Sequence, residues 1–441
     1  MVRSDRYLTI FFLVILYVFF ASIMLAIFSE RVLSRLTKSE VQSEVMGELK
    51  ETTAVEPVIW SELYPFEYDK KEDAFGKPVS VVGKYKSIIK SVESKIDLYT
   101  SKFLIGYDKM VYASNAYEEL LSWNFASYSE YNGVVKLPDG YLTSYTEQYD
   151  TAECAQSLAK FAEYCKNFGS KFLYVQAPCK ISQYQDTGIS GKIDFANQNC
   201  DEFLESISKE GIDYLDLRES IKEAAFNNHE LFFRTDHHWQ PTTGLWAAQK
   251  TLKYCNEKYG YHADISRLDE NKFNKDMYKG WFLGSEGKKL TLARTEPDDF
   301  YLMYPDYETK LHYEVVDIGL NKIGDYSVIY DMNRVESKDL YNQSPYHAYN
   351  WGDRGLIKMD NLMKSDDHDI LIIHDSFGDV YTSCIGLCEK HISTMNLAVF
   401  DGSVMKYIEQ EKPNLVIVLY YAPGVGVDIK WNTHKETFDF R

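Results

Sequence analysis

Residues 232–244, FFRTDHHWQPTTG, set Asp236, His237, His238 and Trp239 in a row. Far downstream, residues 369–379, DILIIHDSFGD, put Ser376 where an apolar run breaks into a turn. A carboxylate, an imidazole and a hydroxyl are the three groups of a serine-nucleophile site. The hydroxyl attacks, the imidazole takes its proton, and the carboxylate orients the imidazole and steadies its charged form. Side chains two apart in an extended segment point the same way. That spacing predicts that Asp236 and His238 face one site while His237 faces away. Trp239 and Pro241 would stiffen the segment by packing and by a restricted φ. The same Asp–His pair would serve as readily as a structural contact. A metal would need further ligands nearby, and neither an H-E-x-x-H pattern nor a C-x-x-C pair supplies them. No metal and no cofactor are therefore expected.

The elements around these residues alternate in type. Ile370 to Ile373 are continuously apolar, as a buried parallel strand requires. Ser376 follows at the C-terminal end of that strand, where open α/β sheets bind ligands. A serine at such a turn presents its Oγ outward, and backbone N–H groups of the turn can meet a developing oxyanion. On this segment alone, a serine capping the next helix is the simpler reading. Upstream, 154–169 reads as a helix, 171–178 as a strand, 197–211 as a helix, 212–217 as a strand and 241–260 as a helix. Downstream, 396–400 reads as a strand, 403–412 as a helix and 413–421 as a buried strand. This order predicts an α/β domain over 150–441 with a doubly wound parallel sheet. Residues 261–345 interrupt it, with YLMYPDYETKLHYEV and GDYSVIYDM expected as antiparallel strands of a mixed α+β insertion. Before it, 57–149 reads as an N-terminal extension of helices ending in a hairpin at 131–145, turned by P-D-G.

The 441 residues suffice for two or three domains. With 48 Lys and Arg against 66 Asp and Glu, the net charge is −18. Phosphate-backbone binding needs clustered cations, so nucleic acid is excluded as a partner. Tyrosine is frequent, 35 residues, which suits stacking on sugar rings and equally suits an aromatic-rich core. Residues 7–28 form an uncharged, largely apolar run, and a bilayer needs about 20 such residues in a helix. No A-x-A site follows, so 1–29 reads as an uncleaved signal anchor and 30–56 as a juxtamembrane linker. Arg3 and Arg6 before the run and Arg31, Arg35 and Lys38 after it leave the orientation undecided by charge. Seven cysteines cannot all pair within one chain, and most read as small buried hydrophobes. Cys384 and Cys388 share one helical face if that segment is helical.

TDHHW followed far downstream by HDSF resembles the DHHW family. That family is similar to the AlgX/AlgJ-type SGNH-hydrolase-like domains of alginate O-acetylation and, more distantly, to DltD. The resemblance covers roughly residues 150–425. It implies an SGNH-hydrolase-like fold with Ser376 as nucleophile, His238 as base and Asp236 as orienting acid, and with Trp239 as part of the motif. The order Asp, His, Ser is permuted relative to GDSL esterases, and the AlgX/AlgJ group shares that permutation. The implied chemistry is O-acetyl transfer outside the membrane to a cell-surface or exported polysaccharide. The implied donor is a membrane-bound O-acyltransferase that passes the acyl group across the bilayer. For the oxyanion hole, Ser376 N–H is the natural donor, and Asn350 and Gly352 could fill the Asn and Gly parts of the SGNH pattern. Tyr349, Arg354, Tyr420 and Tyr421 are candidate sugar contacts, although each suits a structural role better. Lys180 would meet a carboxylate or the acceptor, or simply lie on the surface, which is the preferred reading. His374 and Asp375 would support the serine from behind. Two rivals share these residues: an esterase or deacetylase with the same triad, and a non-catalytic scaffold in glycan assembly. A separation beyond about 5 Å between Ser376 Oγ and the His238 ring would favour the scaffold.

Overall fold

The structure is a computed structural model, and it describes residues 130–441 apart from 132, 138, 186, 189–192, 366–367, 428–436 and 441. The expected anchor, the linker and most of the 57–149 extension lie outside the described residues. Among the described residues no helix is long and apolar enough to cross a membrane.

A short three-stranded antiparallel sheet comes first, from β1 (Glu130–Tyr131), β2 (Val134–Lys136) and β3 (Leu142–Thr143). The main domain follows with α1 (Ala152–Asn167), β4 (Lys171–Ala177), α2 (Ala196–Lys209), β5 (Tyr214–Asp216), α3 (Leu217–Glu223) and α4 (Pro241–Tyr259). Next come β6 (Phe273–Phe282), α5 (Ser285–Leu290), β7 (Asp298–Pro305), β8 (Leu311–Val315), β9 (Leu320–Gly324) and α6 (Asn333–Glu336). The chain closes with β10 (Ile357–Asn361), β11 (Asp369–His374), α7 (Gly378–Ile385), β12 (His391–Asn396), α8 (Val404–Glu411) and β13 (Leu415–Tyr421).

Eight strands form the central sheet in the order β5-β4-β13-β11-β12-β10-β8-β9. The five from β5 to β12 are parallel. The last three pair antiparallel, so the sheet is mixed where a parallel one was expected. The difference comes from the insertion. β8 and β9 extend the main sheet through β10, and only β6 and β7 form the separate antiparallel pair. The segment 324–332, expected as a strand, is mostly a 3-10 turn opened by Asp325, whose carboxylate accepts the Ser327 N–H. The strand expected at 396–400 instead ends at Asn396, where β12 stops and a turn begins. Likewise α7 closes at Ile385, so Cys388 lies beyond the helix that would have put it on one face with Cys384. None of the seven cysteines is in a disulfide.

β11 shows why the centre is stable. Ile370 and Ile372 face one apolar layer with Leu245 and Ala248 of α4 and Val380 and Tyr381 of α7. Leu371 and Ile373 face the other, with Leu158 and Phe161 of α1, Phe203 of α2 and Ile408 of α8. Successive side chains point to opposite faces of a strand, so a continuously apolar run is buried on both. Each such side chain contributes on the order of 1.5–3 kcal/mol of burial. The strand's C-terminal end therefore sits rigidly between two packed helical layers.

Candidate active site

The segment 231–240 is not extended. It folds into a loop closed by a bridge between Phe232 and Trp239 and by Gln240 N–H donating to Leu231 O at 2.8 Å. Inside it, Asp236 Oδ1 accepts the His238 N–H at 3.0 Å, an Asx turn. The two side chains meet because the turn folds one onto the other, and the alternation of a strand plays no part. Asp298 at the start of β7 holds the residues just before. Its carboxylate accepts Arg234 N–H at 3.2 Å and both the N–H and Oγ1 of Thr235 at 2.7 Å.

Three hydrogen bonds meet on Asp236. Oδ1 takes His238 N–H and His238 Nδ1, and Oδ2 takes Ser285 N–H at 2.6 Å. The last comes from the first turn of α5, where N–H groups have no helical partner. Gly284 makes this approach feasible, since a Cβ there would lie 2.2 Å from Asp236 Cβ. Burial works against the charge on Asp236, but the two histidines and these donors hold it well below the usual carboxylate range. Burial and the neighbouring His237 push His238 down to about 4 despite Asp236, so its imidazole is neutral near pH 7. His238 Nε2 then meets Ser376 Oγ at 2.6 Å. The ring is held by Tyr346, stacked on it at 4.1 Å.

Ser376 follows β11 directly. Its Oγ reaches His238 instead of capping α7, whose N-cap residue is Phe377. The Asp375 carboxylate ties the turn by accepting Phe377 N–H at 3.0 Å and Tyr421 N–H at 2.6 Å. Burial lifts that carboxyl to about 6. Among the described residues the Ser376 N–H meets no protein acceptor, which leaves it available to an oxyanion. Gly378 must lack a side chain, because a Cβ would lie 2.1 Å from the His374 ring.

Ser376 opens on a cleft of about 320 Å³. Phe377 and Tyr421, stacked at 4.4 Å, form one wall with Leu397 and Pro423, and Glu286, Asp353 and Asp375 add carboxylates. A roomier groove of about 660 Å³ runs along α1 and α2, but its lining holds no serine–histidine pair.

Of the other sequence candidates, His237 and Lys180 are placed differently from their expected positions, and the rest take structural contacts. His237 does not face away: it lines the cleft, its ring 3.9 Å from that of His238 and its Nδ1 2.9 Å from Ser285 Oγ. Asn350 spends both amide protons, on Asp379 O at 2.8 Å and Thr382 Oγ1 at 2.6 Å, so neither is left for an oxyanion. Gly352 N–H donates to Tyr349 O at 2.9 Å within its own turn. Tyr349 is a core residue whose hydroxyl accepts Met303 N–H at 2.8 Å. Arg354 Nε donates to Trp351 O at 2.9 Å, and the residue does not line the cleft. Lys180 is buried, not a surface lysine, and its ammonium donates to Leu142 O at 2.5 Å and Arg234 O at 3.2 Å. It thereby ties the β2–β3 hairpin to the loop of Asp236. Trp239 is buried against Phe377 at 5.0 Å.

A second cluster beside the cleft had no signal in the sequence. His347 Nδ1 lies 3.2 Å from Asp379 Oδ2, and His347 Nε2 lies 4.0 Å from Asp353 Oδ2. Asp236, His237 and His238 form another group with ligand spacing, but the donor atoms of Asp236 and His238 are already spent on each other, Ser285 and Ser376. Ser285, Asp298, Tyr346 and His347 were also missed, because they come from the insertion or from the turn before β10. The only cue was the G-S pair at 284–285, a helix start of ordinary kind.

Residues 138–281 match the family model of the SGNH hydrolase-like domain of acetyltransferase AlgX. No curated protein matches the chain. Bacillus cereus PatB1 with a sulfonyl adduct is similar in structure, with TM-score 0.55 and 17% identity over 70% of this chain and 98% of that one. A DHHW family protein from Eubacterium siraeum gives TM-score 0.52 and 17% identity over 68% of this chain and 93% of the other. At such identities the likeness is one of fold. Together with the family match over residues 138–281, it supports an SGNH hydrolase-like domain similar to that of acetyltransferase AlgX and an enzyme of the acetyltransferase/esterase kind.

Proposed function

We propose that the chain is a serine-dependent O-acyltransferase, acetyl being the group moved, and that it acts on a cell-surface or exported polysaccharide. The observation that carries this reading is the chain of hydrogen bonds from Asp236 through His238 to Ser376, ending in the 2.6 Å contact between Nε2 and Oγ at the mouth of the cleft. A non-catalytic scaffold has no use for such a contact.

The steps follow from the geometry. Ser376 Oγ attacks the carbonyl carbon of a donor ester as His238 Nε2 takes the hydroxyl proton. The carbonyl oxygen becomes an oxyanion within reach of Ser376 N–H. Asp236 fixes the tautomer with the proton on Nδ1 and steadies the imidazolium. Collapse breaks the donor C–O bond, and His238 returns the proton to the leaving alkoxide. The acyl-serine is then attacked by a sugar hydroxyl, whose proton passes to Nε2 and back to Ser376 Oγ as the new ester leaves.

The reading extends to an anchor at residues 7–28, a domain outside the membrane, and an acyl donor delivered by a membrane-bound O-acyltransferase. Its support there is the apolar run and the family resemblance. Hydrolysis by the same triad differs only in whether water or sugar reaches the acyl-serine. With p-nitrophenyl acetate and an added oligosaccharide, the purified chain should yield acetylated sugar. Release of acetate alone would establish the esterase instead. Ser376→Ala should abolish both products, and full turnover by that variant would overturn the serine mechanism.

A further inference from the structure

We infer that the cleft at Ser376 takes a glycan unit with no anionic group, a neutral or amino sugar, and discriminates against uronates and phosphorylated sugars. The inference rests on the proposed function and narrows its acceptor. Glu286, Asp353 and Asp375 line the cleft, and no lysine or arginine does so among the described residues. Among the described residues, three cations are spent elsewhere: Lys180 on Leu142 O and Arg234 O, Lys288 on Gln343 O at 2.9 Å, and Arg354 on Trp351 O. Recognition of a carboxylate or phosphate uses Arg forks, Lys or converging N–H groups. The cleft offers the reverse.

Asp353 is the sharpest case. One carboxylate oxygen accepts Asn396 Nδ2 at 2.8 Å, and the other stands 4.0 Å from His347 Nε2, leaving acceptor capacity turned to the cleft. Its field is felt behind it. Burial lifts Asp375 to about 6 and Asp379 to about 7, with Asp353 adding to both. The partly exposed Tyr421 ring, backed by the buried Phe377 stacked on it, lines the cleft with an apolar surface for the C–H groups of a sugar. An ammonium on that sugar would find Asp353 and Glu286 within the same cleft.

Binding tests this with the Ser376→Ala protein, which cannot turn ligand over. Three β-linked tetrasaccharides of equal length, built from glucose, glucosamine and glucuronate, are titrated by calorimetry at low ionic strength and about pH 6. The glucose and glucosamine ligands should bind at least about tenfold more tightly than the glucuronate. Adding Asp353→Asn, which keeps an oxygen for Asn396, should shrink that ratio severalfold. Glucuronate binding as tight as glucose, or no binding by any of the three, would overturn the inference. The proposed function fails by a different readout: absence of p-nitrophenyl acetate turnover by the unaltered chain.

Discussion

Two histidine–carboxylate pairs stand at one cleft, their rings 6.1 Å apart, and they are in opposite states. In the first, Asp236 gathers three donors and stays ionised, while burial and His237 push His238 down to about 4. In the second, Asp379 has one oxygen on His347 and the other buried without a partner. Burial lifts Asp379 to about 7. Burial also opposes charge on His347, but the hydrogen bond it donates to Asp379 and the field of Asp353 raise it above the ordinary histidine value. The first pair is thus an anion beside a neutral base, as nucleophile activation requires. The second pairs a carboxyl lifted by burial to about 7 with a raised histidine and meets no serine. Residue type is the same in both; the number of N–H donors on the acid decides the difference.

The comparison is broken most directly by removing each imidazole. His238→Ala should lower kcat/KM for p-nitrophenyl acetate by about 10⁴-fold or more, as loss of a triad base does. His347→Ala should cost less than about tenfold, and equal losses would erase the distinction. The acids come next. Asp236→Asn should cost about 10³–10⁴-fold, because the amide favours the wrong tautomer. Asp379→Asn should leave turnover within about tenfold.

Stability against pH sharpens the contrast. The folded pKa of Asp379 lies above its unfolded value, so its stabilisation is full below the unfolded carboxylate range and is lost as pH rises through about 7. Asp379→Asn should therefore flatten the fall in stability between pH 5 and pH 8, by on the order of 2–4 kcal/mol at most. Denaturant titrations at both pH values measure this, and an unchanged slope would refute it. The smallest effect is on the acid limb of activity. Turnover should hold from pH 8 down to pH 5 and fall through about 4, as His238 takes a proton. His347→Gln removes a neighbouring cation and should move that limb up by a few tenths of a unit.

The sequence made the strand of Ile370–Ile373, the helix opened by Pro241 and the paired motifs legible, because burial on both faces and helix-start chemistry leave local patterns. It left the neighbours open, and of these only Lys180, expected on the surface, lies elsewhere than its preferred reading. Asn350, Gly352, Tyr349, Arg354 and Lys180 are polar or aromatic residues near the motif in sequence or in fold, and nothing in their spacing told which carbonyl or amide would claim them. The insertion was misread for a like reason. β8 has an alternating pattern that fits either a separate sheet or an extension of the main one, and only its pairing with β10 chose.

The sequence by itself determined which groups were available: Asp236, His238 and Ser376, with a serine at the end of a buried strand. Tertiary structure decided everything that sets their state. The Asx turn replaced the extended segment and brought His237 into the cleft. Ser285 N–H arrived from α5 to hold Asp236 charged, and Tyr346 came from a distant turn to fix the His238 ring. These are contacts between segments far apart in the chain, and a proton's place depends on them through burial and hydrogen bonds, which no local spacing records.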